Sequence, residues 1–318
     1  MGVEVVDSIN GAAKVACIVP TYNGREDLIR LTQSLKSQSQ KFDFIVVDSS
    51  SRDGTAEVAA AHGATVFSIP TAEFNHGATR QRMIDNNPGY DFYVFLTQDA
   101  YLEDQYALEN IIRPFANKEV GAVCGRQLPH LDASVLSMHA RKFNYPDTSE
   151  VKSLKTADKS GMKAAFMSNS FSAYRGEAIK AVGGFPAHVI LSEDMYVAAK
   201  MLLKGWKIAY EGSARCRHSH NYTLLQEFKR YFDIGVFHAR EEWIRKEVGG
   251  AGKEGLRYVI NELKFLGMKK IHLWPISIVR NGLKLIAFRI SRFEKYMSPS
   301  IKRRLSMHHR YWDDRFAR

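Results

Sequence analysis

The sequence predicts an α/β fold: a doubly wound, mostly parallel sheet flanked by helices, followed by a helical, basic C-terminal region. Three observations carry this. Short apolar runs alternate with helix-length segments from residue 14 to about residue 100, the spacing of βαβ units. Several of those runs stop abruptly at an acid-bearing loop, as strand tips do at the ligand-binding edge of an open sheet. The charge is also uneven: residues 1–225 hold 24 Lys+Arg and 24 Asp+Glu, so the net +11 comes from residues 226–318, with 21 Lys+Arg against 10 Asp+Glu. Such asymmetry marks a boundary near residue 225 and a surface suited to anionic partners.

The elements follow in order. Lys14 to Pro20 is a continuous apolar run and reads as a buried strand, Thr21 to Arg25 as a loop, and Arg25 to Ser37 as a helix. Phe42 to Asp48 is a second strand. Ser49 to Gly54 is a turn, with Thr55 placed to N-cap a helix over 56–62 that Gly63 stops. Thr65 to Ile69 is a third strand, and Phe74 to Gly77 leads into a helix over 78–86. Asp91 to Leu96 is a strand ending in Thr97-Gln98-Asp99-Ala100. Right-handed crossovers would bring Thr21 to Asn23, Asp48 to Gly54, His76 to Arg80 and Gln98-Asp99 to one edge.

Further along, Val120 to Gly125 reads as a strand, 130–160 as a polar irregular loop, and Ala164 to Arg175 as strand and turn. Gly183-Gly184-Phe185-Pro186 is a sharp turn. Ser192-Glu193-Asp194 opens a helix over 195–204 that Gly205 stops. Trp206 to Tyr210 and Arg215 to His220 read as two strands, the second placing His218 and His220 on one face.

Several classes are disfavoured. The three cysteines, Cys17, Cys124 and Cys216, are scattered and show no zinc spacing, as in a reduced, cytosolic protein. No GxGxxG follows the first strand, which argues against a dinucleotide fold. Met1 to Lys14 does not read as a signal peptide, and no window approaches the roughly 18 apolar residues of a membrane span.

A carboxylate at the tip of a strand, such as Asp99, suits a divalent cation bridging a diphosphate, since Mg²⁺ takes one or two carboxylates plus phosphate oxygens. A cap of the following turn is the alternative. Five ordered segments extend the pattern: Ile18-Val19-Pro20-Thr21-Tyr22-Asn23; Val46-Val47-Asp48 with Arg52-Asp53-Gly54-Thr55; Gly77-Ala78-Thr79-Arg80; Phe95-Leu96-Thr97-Gln98-Asp99-Ala100; and Gly183-Gly184-Phe185 leading to Glu193-Asp194. In this order and spacing the chain, from about Val15 to about Tyr222, resembles the family 2 glycosyltransferases, inverting enzymes with the GT-A fold.

The resemblance implies a site. Pro20, Thr21, Tyr22, Asn23 and Gln98 fall where the family contacts the nucleotide. Asp48 would accept the N3–H of uracil or thymine, with an Asx turn as the local alternative. Arg80 would meet the donor diphosphate. Asp99 matches the last carboxylate of the DXD metal motif, with Thr97 in place of the first, so a Mg²⁺ or Mn²⁺ ion would be held loosely. His218 or His220 could complete that metal site or serve structurally. Glu193-Asp194 matches the ED motif, making Asp194 the general base and Glu193 its neighbour or an acceptor ligand; the local alternative is acids favouring a helix start.

Gln98-Asp99-Ala100, Phe74 to Arg80 and His218-Ser219-His220-Asn221-Tyr222 resemble bacterial rhamnosyltransferases in particular. This implies dTDP-L-rhamnose as donor, a lipid-linked saccharide acceptor in O-antigen or capsule synthesis, and work at the cytoplasmic face of the inner membrane. A UDP-hexose donor on the same fold and a non-catalytic membrane scaffold are the alternatives. Nucleic acid is the weaker partner, because no recognition motif accompanies the basic tail.

In that tail, Ile276, Val279, Leu283, Ile286, Ile290, Phe293 and Met297 form one apolar stripe flanked by Arg280, Lys284, Arg289, Arg292 and Lys295. With Trp274, Phe288 and the terminal Arg310-Tyr311-Trp312, it reads as an anchor on anionic lipid. Packing on the catalytic domain, or on a second copy in a homo-oligomer, is the other reading.

Overall fold

The computed structural model describes residues 13–156, 161–250, 252 and 254–313. Its core is a sheet of nine strands in the order β3-β2-β1-β4-β8-β6-β9-β5, with β7 also pairing to β9. The strands are β1 (Val15–Thr21), β2 (Asp43–Asp48), β3 (Thr65–Ser68), β4 (Phe92–Leu96), β5 (Tyr101–Leu102), β6 (Val120–Leu128), β7 (Glu150–Lys152), β8 (Phe171–Arg175) and β9 (Lys207–Arg217). The first four pair in parallel, with Thr21 opposite Asp48 and Ile18 opposite Phe95. Their tips and loops therefore share one edge, as the alternating sequence pattern predicts.

Beyond β4 the sheet is mixed. β8 runs antiparallel to both β4 and β6, and β9 runs parallel to β6. Apolar residues on the two faces build separate cores: Ile18, Phe95 and Tyr174 on one, Cys17, Val94 and Phe171 on the other. Burial on both faces explains why these strands read as unbroken apolar runs rather than alternating ones.

The flanking helices are α1 (Arg25–Lys36), α2 (Thr55–Ala61), α3 (His76–Asn86), α4 (Ala107–Ile112), α5 (Val135–Asn144), α6 (Gly176–Ala181) and α7 (Glu193–Leu203). Three expectations are corrected here. Thr55 is not the cap of α2: Gly54, at φ +86°, takes that place, and the Thr55 hydroxyl hydrogen-bonds Asp53 and the Gly24 N–H instead. The stretch 130–160 is not an irregular loop where described. It contains α5, capped by the Ser134 side chain, and then β7. Its polar composition reflects one solvent-facing side, while Leu136 and His139 are buried. Residues 206–220 are not two strands but one, β9, with a register break opposite Gly125 and Arg126. His218 and His220 lie just past its end.

α3 starts on the Asn75 side chain, which accepts from the Gly77 and Ala78 N–H groups. An added Cβ at Gly77 would overlap the backbone carbonyl of Pro186, in the segment that leads to α7. Gly77→Ala should therefore cost about 1–3 kcal/mol, the usual range for overpacking. Thermal denaturation checks this, and an unchanged midpoint would show that the contact yields freely.

Five helices follow: α8 (Leu224–Arg240), α9 (Glu242–Val248), α10 (Glu254–Leu266), α11 (Trp274–Ile290) and α12 (Pro299–Leu305). Thr223 and Gln226 close a capping box on α8. Phe232, Val236 and Phe237 of α8 pack into the same core as Ile18 and Phe95, so the helical region is built onto the sheet. α11 packs on α8 with an inverted polarity. Ser277, Lys284 and Ala287 are buried. Ile276, Val279 and Ile286 face outward, as does Phe293 beyond the helix at 61% exposure. Arg280 and Lys284 do not flank the stripe in solvent; both pair with Glu227 of α8. The terminal aromatics are not free either: Tyr311 and Trp312 are 6% and 4% exposed, with the Arg240 guanidinium over both rings.

Candidate active site

The loops after β1, β2 and β4 form the first wall. Asp48, buried at the tip of β2, accepts from the Thr21 hydroxyl at 2.9 Å, the Ser51 hydroxyl at 2.6 Å and the Ser51 N–H at 2.8 Å. The Asx-type turn is therefore present. Oδ2 takes only one of these three bonds, and a carboxylate offers about four lone-pair sites, so acceptor capacity remains. Gln98 acts as a clamp: its Oε1 accepts the Tyr22 N–H at 2.8 Å and its Nε2 donates to the Tyr22 carbonyl at 3.2 Å. Both ends of the Gln98 amide are thus spent on backbone, which holds the Tyr22 ring out at 47% exposure. Asn23, at φ +43°, ties this loop to the next by accepting the Arg52 N–H and donating its own to Ser51. Pro20 stands opposite Val47 within the sheet, one residue below the loop.

The second wall is a cluster of Asp99, His218 and His220, whose ligating atoms all lie within 4.8 Å of one another. His218 Nε2 is 3.4 Å and His220 Nδ1 3.8 Å from Asp99 Oδ2. Sequence reasoning found these three but not the group that prepares them. Gln127 on β6 receives the Arg141 guanidinium at 2.7 Å on the same Oε1 that faces His218 Nδ1 at 2.9 Å. Arginine can only donate, so the Gln127 oxygen must be there, and His218 must carry its proton on Nδ1. Nε2 is left with its lone pair directed at Asp99, the arrangement outer partners impose on metal-binding histidines.

Burial pushes the Asp99 carboxyl up, but its neighbours His218, His220 and Thr97 outweigh it and hold it well below the usual range. Burial pushes both histidines down, His220 to about 3. At neutral pH the cluster is one carboxylate and two neutral imidazoles, a donor set that fits a divalent first-row metal ion.

The third wall is the start of α7. Asn169, just before β8, orients both acids: its N–H donates to Asp194 Oδ2 at 3.0 Å and its Nδ2 to Glu193 Oε1 at 2.9 Å. Its own Oδ1 is fixed by the Ser172 and Tyr174 hydroxyls. Arg80 is 4% exposed, 3.1 Å from Glu193 Oε1, and donates to the His76 carbonyl. Its guanidinium is thus buried, held by Glu193 and the His76 carbonyl. Burial, and then the Glu193 charge, raise Asp194 to about 7. Ser192 enters the helix at φ +62°, a left-handed conformation that costs about 1–3 kcal/mol for a non-glycine residue and is typical of functional sites.

The walls are connected. Gln127 Nε2 donates to Ser168, the neighbour of Asn169, so hydrogen bonds and one peptide link run from His218 to Asp194.

Residues 16–183 match the glycosyl transferase family 2 model. The chain belongs to that family. This glycosyltransferase is 45% identical over 300 residues to the O-antigen chain rhamnosyltransferase WbaN of Salmonella anatum, covering 93% of this chain and 95% of the relative. It is 43% identical over 304 residues to RfbN of Salmonella typhimurium, also an O-antigen chain rhamnosyltransferase, covering 95% and 96%. In structure it is similar to a mannosyltransferase from Pyrobaculum calidifontis in complex with GDP-Man and Mn²⁺, with TM-score 0.62, 17% identity, and 90% and 88% of the two chains covered. Residues 1–349 of TarS from S. aureus, in complex with UDP-GlcNAc, superpose with TM-score 0.53 at 16% identity over 89% and 91%. The GT-A fold and the glycosyltransferase class are thereby shown. Asn169 and Gln127, which the family motifs do not flag in the sequence, lie between the motif residues and hold them in place.

Proposed function

We propose that this glycosyltransferase moves L-rhamnose from dTDP-L-rhamnose to a lipid-linked saccharide in O-antigen synthesis, with inversion at the anomeric carbon. The observation that carries this is the likeness, along nearly the whole chain, to two O-antigen chain rhamnosyltransferases. The geometry supports the chemistry. The acceptor hydroxyl gives its proton to Asp194 as its oxygen bonds the anomeric carbon, while the bond from that carbon to the β-phosphate oxygen breaks and dTDP departs. Tyr22 would stack on the base and Asp48 accept its N3–H. Thymine and uracil both present that N–H, so Asp48 does not choose between them. Asp99, His218 and His220 would hold a divalent cation, which neutralises charge on the leaving diphosphate. Two imidazoles favour Mn²⁺ over the oxygen-seeking Mg²⁺.

Transfer assays with dTDP-L-rhamnose, UDP-glucose and UDP-galactose, each with Mn²⁺ or Mg²⁺, test the reading. Turnover of dTDP-L-rhamnose at least tenfold above the others, with Mn²⁺ preferred, is expected. A preference for a UDP-hexose would replace the donor, and no turnover of any would favour the scaffold reading.

The outward apolar face of α11, flanked by exposed Arg289, Arg292 and Lys295, supports docking on anionic lipid at the cytoplasmic face of the inner membrane. No described helix is long and apolar enough to cross a membrane. Full-length protein should float with anionic liposomes at low salt and be released as salt rises. Failure to float, with a dimer in solution, would assign the face to a second copy.

A further inference from the structure

A cation besides the metal helps to neutralise a departing diphosphate, and two arginines bordering the walls described above already have partners. Arg80 is buried against Glu193. Arg141 donates to Gln127 and lies 5.6 Å from the Tyr145 ring centroid. A third guanidinium comes from α8. Arg230 is exposed and makes no ion pair among the described residues. It lies 5.8 Å from the ring centroid of Tyr222, whose ring is 4.8 Å from that of His220, at the metal cluster.

Its charge also acts on His76 and His308, two rings in edge-to-face contact at 4.9 Å. Burial, assisted by the neighbouring positive charges, pushes each of them down to about 3, so neither supplies a cation at neutral pH. The adjacent acid Asp233 does not quench Arg230 by a direct bond: its Oδ2 accepts the backbone N–H groups of Met307 and His308. Arg230 therefore lies beside Tyr222 and the His220 end of the cluster, and its guanidinium has no hydrogen-bond or ion-pair partner among the described residues.

We propose that Arg230 is a donor-binding residue that pairs with the diphosphate of the nucleotide sugar beside the metal cluster and steadies it as it leaves. A guanidinium fork matches two phosphate oxygens, and a neighbouring aromatic ring limits the orientational freedom lost on binding. The proposal rests on the nucleotide-sugar reading above. It also means that the basic C-terminal region, which begins past residue 225, contributes to the site itself.

Calorimetry of full-length wild type, Arg230→Gln and Arg230→Lys with dTDP and Mn²⁺ tests it, with thymidine binding followed by NMR as the phosphate-free control. The expected result is a loss of tenfold or more in dTDP affinity for Arg230→Gln, partly restored in Arg230→Lys, with thymidine binding unchanged. An Arg230→Gln protein that binds dTDP within twofold of wild type overturns the proposal. So does a parallel loss of dTDP and thymidine binding in both variants, which would make Arg230 structural. A wild-type protein that binds no nucleoside diphosphate overturns the nucleotide-sugar reading as well, and so separates the two failures.

Discussion

Asp194→Asn is expected to lower transfer by about 10²–10⁴-fold, the usual contribution of a general base, while dTDP binding stays within a few-fold of wild type. Asparagine keeps the size of the side chain, but its single amide oxygen can accept from only one of the Asn169 and Met195 N–H groups, which bond separate carboxylate oxygens at 3.0 and 2.7 Å, so some stability is lost as well. The larger loss is the ability to take a proton. The pH profile provides a second readout. Burial and the Glu193 charge raise Asp194 to about 7, and the base acts only when ionised. The rate of the wild-type protein should therefore fall as pH drops through about 7, and the residual rate of the variant should lack that limb. A variant within tenfold of wild type, or a wild-type profile flat from pH 6 to 8, would move the base elsewhere. Glu193→Gln should act differently: it breaks the pair with Arg80, so the start of α7 loosens and stability falls with activity.

The second large effect belongs to Asp99. It is the lone carboxylate of the cluster, because Thr97 stands where the family motif has another acid. Asp99→Asn should cut Mn²⁺ affinity and Mn²⁺-dependent transfer by more than the roughly 10–100-fold typical of losing an outer partner. The residual rate should no longer respond to chelator. Gln127→Ala provides the graded comparison. It frees His218 to hold its proton on either nitrogen, so metal affinity should fall within that roughly 10–100-fold range while the ligands all remain. Wild-type rates in excess chelator would remove the metal from the reaction, and the cluster would then be a hydrogen-bonded strut.

The two residues also show how far the sequence could be read. Asp48 and Asp99 were legible because a parallel sheet with right-handed crossovers places every strand tip on one edge, a rule that depends on element order alone. Glu193-Asp194 was legible because it follows the Gly183-Gly184 turn in the order of the family motif. Arg80 and Gln98 lay at the right edge, but their partners could not be inferred. Arg80 is taken by Glu193, 113 positions away in the chain, and Gln98 by the Tyr22 backbone, 76 positions away. The helix over Val135–Asn144 escaped because only one narrow side of it is buried, which leaves a polar composition that mimics a loop. The tail was read as one apolar stripe, but only Ile276, Val279, Ile286 and Phe293 of it are exposed, while Ile290 and Met297 pack against the core, and the pairing of Glu227 with Arg280 and Lys284 draws the polar face of α11 inward.

By itself, then, the sequence determined the strands and helices of residues 14–100, the edge on which they present their loops, the family, and the acids that line that edge. Only the tertiary structure decided the partners of these side chains: Asp194 held by Asn169, His218 set in one tautomer by Gln127, Arg80 paired with Glu193, and Arg230 of α8 placed beside Tyr222 near His220. The reason is physical. Backbone geometry follows from local periodicity, whereas the state of a charged side chain is set by whichever donors and acceptors packing brings within about 3 Å of it, and those come from segments that the order of residues alone does not pair.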